Sequence, residues 1–132
     1  MILSRLASFQ PYALSLLRIV AGFTFSLHGF QKLFGYFGGL NGAKATFPNL
    51  VWFAGCLETF GGALIILGLC TRPIAFLLSG QMAVAYFMVH APKGLWPILN
   101  GGELAALYSF IFLYLSTAGP GPWSVDHLIN DE

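Results

Sequence analysis

Apolar runs alternate along the chain with short polar or glycine- and proline-rich punctuation. Four apolar segments stand out, each near the ~20 residues that a helix needs to cross a bilayer. The first is expected over residues 11–34, with Pro11 at a favourable first helical position. The second covers residues 50–70, after Phe47-Pro48-Asn49. The third covers residues 73–90 and stops just before Pro92. The fourth covers residues 101–117, between Asn100-Gly101-Gly102 and Gly119-Pro120-Gly121-Pro122. The connections are short, which makes neighbouring helices antiparallel. The pattern therefore predicts an all-α, up-down-up-down membrane four-helix bundle, with residues 1–132 as one domain. Tyr12, Tyr36, Trp52, Trp96 and Trp123 fall at or beyond span ends, where interfacial aromatic belts lie.

Composition agrees with a lipid setting. The chain is 57% hydrophobic and 8% charged, against about 25% charged residues in a soluble domain. So little charge could not cover a water-facing surface. The formal net charge is +1 and no basic run occurs, so nucleic acid is not an expected partner. Cys56 and Cys70 fall in one predicted helix, roughly 21 Å apart and beyond disulfide reach. The first apolar segment contains Arg18 and lacks a small-residue cleavage site, so it reads as a retained span rather than a signal peptide.

A charge within a span costs ~2.5–3.5 kcal/mol and needs a reason. Ser15, Arg18, Gly22, Phe25 and Gly29 form one seam in a 3-4-3-4 spacing, and its small residues let a second helix come close. Gly55, Glu58, Thr59 and Gly62 form a matching stripe on the second span. Arg18 would lie ~9 Å deep from one face and Glu58 ~12 Å deep from the other. In a core of ~30 Å this leaves ~9 Å between them in depth, which two extended side chains nearly close. A buried Arg18–Glu58 pair is therefore expected, either fixing helix register or serving chemistry.

A second group converges in the same topology. His28, Gln31 and Lys32 close the first span, His90 closes the third, and Asn100 and Glu103 open the fourth. All these ends share one mouth of the bundle, which Glu58 approaches, and titratable groups gathered in this way mark a ligand or proton site. Each also has a structural explanation. A cation at His90 suits a helix C-terminus, Asn100-x-x-Glu103 matches a capping box, and Lys32 can snorkel. Arg72 suits the C-terminal dipole of the second span. His28 and His90 are too few and too near the membrane edge for haem, no Glu-x-x-His pair occurs, and no metal centre is expected. Dinucleotide and P-loop motifs are absent.

Three stretches resemble the DoxX family of small bacterial membrane proteins. The first is Leu16-Leu17-Arg18-Ile19-Val20-Ala21-Gly22 with His28-Gly29-Phe30-Gln31-Lys32-Leu33-Phe34-Gly35. The second is Glu58-Thr59-Phe60-Gly61-Gly62-Ala63 with Gly68-Leu69-Cys70-Thr71-Arg72-Pro73. The third is His90, Asn100-Gly101-Gly102-Glu103 and Gly119-Pro120-Gly121 with Ser124 and Asp126. The resemblance implies a multi-pass protein of the bacterial cytoplasmic membrane in a quinone-linked oxidoreductase system, with a soluble or membrane redox partner. Glu58 or Glu103 would relay protons, His28 or His90 would hydrogen-bond a quinone carbonyl, and Arg18 would hold Glu58. Gln31, Lys32 and Asn100 would complete the ligand site. Two alternatives carry no such chemistry: a membrane anchor or scaffold for a soluble redox enzyme, and a small transporter built as a homo-oligomer. Arg5 and Arg72 oppose Lys32, Lys44 and Lys93. This is a near balance under the positive-inside rule, and the resemblance tips it towards cytoplasmic termini.

Overall fold

A computed structural model describes residues 1–130. Its elements are α1 (Ile2–Ala7), α2 (Gln10–Phe34), α3 (Leu50–Leu67), α4 (Thr71–Lys93), α5 (Pro97–Asn100), α6 (Glu103–Ala118) and α7 (Val125–Asn130). No β-strand occurs among the described residues. Helices α2, α3 and α4 are long and apolar enough to cross a membrane. The 16 residues of α6 extend ~24 Å.

The boundaries depart from the sequence expectation where tertiary contacts intervene. Helix α3 stops at Leu67 because Gly68 turns left-handed at φ 68°. Cys70 then lies outside the helix, so the two cysteines do not share one, and both are free thiols. Helix α4 starts at Thr71, ahead of Pro73, because the distant carboxylate of Asp126 accepts from the N–H groups of Cys70 and Thr71 at 2.8 Å each. It also runs past His90, through a π-helical turn at Tyr86–His90 and a 3-10 turn at Ala91–Lys93. The short helices α1, α5 and α7 were not anticipated, since four to six residues are too few to show a period.

Glycine contacts give the packing its register. Gly22 of α2 lies against Gly62, Ile65 and Ile66 of α3, while Gly29 lies against Glu58 and Thr59. Rising numbers on one helix meet falling numbers on the other, so the pair is antiparallel. A Cβ at Gly29 would stand 2.5 Å from the Thr59 nitrogen, which leaves room for no other residue. Helices α4 and α6 are joined by a reciprocal serine pair, with Ser79 donating to the Ser109 carbonyl at 2.7 Å and Ser109 donating to the Ser79 carbonyl at 3.0 Å. Between the two pairs lies the core, including Phe25, Ile65, Leu78, Phe112 and Leu115. Outside it, Phe60, Phe76 and Phe110 are 66%, 67% and 70% exposed, a distribution suited to lipid rather than water.

Candidate functional site

Glu58 sits in a π-helical turn, Leu57–Gly61, inside α3. Such a turn inserts an extra residue into the helix and re-aims the side chains within it. Here it directs a carboxylate that is 1% exposed into the bundle. Lys32 donates to both oxygens of that carboxylate at 2.6 Å, and Gln81 of α4 donates to Oε1 at 3.1 Å. The partner of Glu58 is thus Lys32, correcting the expected pairing with Arg18 and the snorkelling expected of Lys32. The reason is register. Gly29 sets the level of Glu58 on α2, so Lys32, one turn on, reaches it. Arg18 lies beside Gly68, at the far end of α3.

Arg18 is nonetheless fully buried. Its guanidinium donates to the carbonyls of Ile65 at 2.9 Å, Pro120 and Trp123. One side chain therefore joins the C-terminal end of α3 to the chain leaving α6. Asp126 neighbours this knot. Burial pushes its carboxyl up, but the N–H groups of Thr71 and Cys70 and the charge of Arg18 outweigh that and hold it below its ordinary value. A depressed folded pKa gives stability that is complete above the unfolded pKa and is lost as pH falls through the folded one. Thermal unfolding in detergent is therefore expected at progressively lower temperature as pH drops below the usual aspartate range. Asp126→Asn should flatten that acid limb; an unchanged limb in the variant would assign it to other carboxylates.

The remaining candidates form a separate network. His90 Nδ1 lies 3.2 Å from the Asn100 carbonyl, and the Asn100 amide donates to Tyr86 Oη at 3.2 Å and to the Gly94 carbonyl at 2.9 Å. Asn100 Oδ1 accepts from Gly102 N–H at 2.8 Å. This is an Asx turn ahead of α6, not the expected capping box, and Gly102 is the N-cap. Glu103 is exposed on an apolar groove beside Trp96 and Leu99. Among the described residues no hydrogen bond links this network to Glu58. Arg72 donates to the carbonyls of Ser116 and Thr117, so it caps α6 rather than α3.

Between α2 and α6 a cavity of about 530 Å³ opens, lined by Thr24, Leu27, His28, Gln31, Phe37, Leu104 and Tyr108. The side chains of His28 and Gln31 make no hydrogen bond among the described residues. Phe37 holds a left-handed backbone at φ 57°, a conformation that costs an L-residue ~1–2 kcal/mol. Of the residues expected at the site, His28, Gln31, Lys32 and Glu58 are therefore neighbours along α2 and its contact with α3, while Arg18, His90, Asn100 and Glu103 lie elsewhere. The sequence reading missed Thr24, Gln81 and Tyr108. Gln81 had a signal, as an amide within an apolar span; the hydroxyls of Thr24 and Tyr108 did not stand out from an apolar run.

The DoxX family model matches residues 13–91, the stretch that carries most of α2, all of α3 and most of α4. The chain belongs to the DoxX family. A Haemophilus influenzae protein named only as uncharacterized is 43% identical over 129 residues, covering 95% of this chain and 96% of that protein. A second uncharacterized H. influenzae protein is 38% identical over 66 residues, covering 50% of this chain and 44% of that protein. No solved structure matches. Family membership and the apolar helices together make this DoxX chain a membrane protein. The family match takes in Arg18, His28, Gln31, Lys32, Glu58, Gln81 and His90, whereas Asn100, Glu103, Tyr108 and Asp126 lie beyond it.

Proposed function

We propose that this DoxX protein is a quinone-linked component of a membrane oxidoreductase system and binds a small aromatic ring in the groove between α2 and α6. The observation that carries this reading is the pair His28 and Gln31, which face an apolar cavity with their hydrogen-bonding groups unused. An apolar slot with a few convergent polar groups is the usual form of a small-ligand site. His28 and Gln31 hydrogen-bond the ring oxygens, and Leu27, Phe37 and Leu104 pack its faces. Lys32 is one turn from His28 on the same helix face, so the Lys32–Glu58 pair adjoins the groove and, with the His28 imidazole, supplies groups able to exchange a proton there. Another protein of the same system serves as electron partner. In this reading α6 is the fourth span, helped across by the local bilayer thinning and snorkelling of flanking residues that short spans exploit. The protein lies in the bacterial cytoplasmic membrane with both termini on the cytoplasmic side.

The test is anaerobic equilibrium binding of duroquinone and its hydroquinone to the detergent-solubilised protein. Saturable binding of at least one form is expected, weakened about 5- to 10-fold by His28→Ala or Gln31→Ala through loss of one hydrogen bond. Binding of neither form to the wild-type protein would move the function to a membrane anchor for a redox enzyme.

A further inference from the structure

Tyr108 and Thr24 meet across the groove, with the Tyr108 hydroxyl 2.6 Å from Thr24 Oγ1. Thr24 Oγ1 also lies 2.9 Å from the Val20 carbonyl, one turn back on its own helix, and 3.3 Å from that of Ala21. A carbonyl oxygen can only accept, so the Thr24 hydrogen is directed to the backbone. Thr24 Oγ1 is then the acceptor for Tyr108, and the single phenolic hydrogen is committed as well. What Tyr108 has left for a ligand is a lone pair. Its ring cannot swing to another partner, because Phe25 and Phe112 pack against it at centroid distances of 5.3 and 5.8 Å.

The other polar groups of the groove impose no such polarity. An amide offers both a donor and an acceptor, and an imidazole exchanges the two by changing tautomer. Gln31 and His28 therefore accept either a carbonyl or a hydroxyl, and Tyr108 alone discriminates. We infer that the groove selects the reduced, hydroxyl-bearing form of a quinoid ring, a quinol, over the corresponding quinone. A ligand hydroxyl donates to Tyr108 Oη, whereas a quinone oxygen turns a second lone pair towards it. This inference rests on the groove being the ligand site, and it adds the oxidation state that the site prefers.

Durohydroquinone and duroquinone, compared under anaerobic conditions on the same protein, separate the two claims. The hydroquinone is expected to bind about tenfold tighter, the cost of facing a buried acceptor with another acceptor. Thr24→Val removes the hydroxyl that takes the Tyr108 hydrogen and frees it for a quinone oxygen, so the preference should collapse through a gain in duroquinone affinity. Thr24→Ser keeps the hydroxyl chain and should keep the preference, which rules out a packing effect at this position. Equal affinities, or tighter duroquinone binding in the wild-type protein, would overturn the inference while leaving the groove as a ring site. Binding of neither form would remove the groove reading itself, and the inference with it.

Discussion

Lys32→Met should lower the stability of the detergent-solubilised protein by about 3 kcal/mol, and Glu58→Gln added to it should restore most of that loss. Removing one member of a buried pair leaves the other charged and uncompensated, and that unpaired charge is the main penalty. The Lys32 side chain is 21% exposed and the Glu58 side chain 2%. Water can therefore partly relieve a stranded Lys32 but hardly a stranded Glu58, so Lys32→Met should be worse than Glu58→Gln alone. In the double variant Gln81 can still donate to the residue at position 58, where its amide now stands 3.1 Å from Glu58 Oε1. A double-mutant cycle followed by thermal or SDS-driven unfolding measures the coupling. Additive losses would mean that the two residues do not act as a pair. If both variants unfold normally and only hydroquinone binding suffers, the pair serves the ligand rather than the fold.

Arg18→Leu is expected to cost about 3–5 kcal/mol, in the range of a broken buried charge network. Three carbonyls, those of Ile65, Pro120 and Trp123, would lose a donor inside a bundle that offers no water to replace it. Arg18→Lys should not rescue the protein. The planar guanidinium reaches several acceptors in fixed directions, and an ammonium on a shorter stem does not. The loss should be local at first. Pro120 and Trp123 follow α6, so freeing them loosens the stretch between α6 and α7, while Asp126 still holds α7 to Cys70 and Thr71. A red shift of Trp123 emission and faster proteolysis between Gly119 and Ser124 are the readouts. Unchanged emission and protease resistance in Arg18→Leu would show that the segment is held by packing, not by Arg18.

Helix existence and facing were legible in the residues themselves. The seam Ser15, Arg18, Gly22, Phe25 and Gly29 is buried as its spacing requires, and so are Gly55, Glu58 and Gly62. A 3.6-residue period states which side chains share a face, and a run of apolar residues states that the face opposite meets lipid. The first two stretches that resemble DoxX, both within the matched residues 13–91, were legible for the same reason, since each is local in sequence.

Pairing between helices was not legible, and the two buried charges show why. Estimating depth from span ends assumed ideal helices crossing a slab, which placed Arg18 opposite Glu58. In the structure Gly22 docks on Gly62 and Gly29 on Thr59, a sliding position chosen by which small residues let the backbones approach. That choice moves Glu58 to the level of Lys32 and Arg18 to that of Gly68. The π-helical turn at Leu57–Gly61 re-aims Glu58 in a way no pattern of residue types announces. Capping was misjudged for a related reason. The start of α4 depends on Asp126, a residue more than fifty positions away in the chain, and Arg72 serves α6 rather than the helix it follows. The sequence alone thus determined the medium, the number of apolar segments and the inward faces, because these follow from local periodicity and composition. Only the tertiary structure decided which polar groups are partners and which make no hydrogen bond among the described residues, because that depends on how far one helix slides along another.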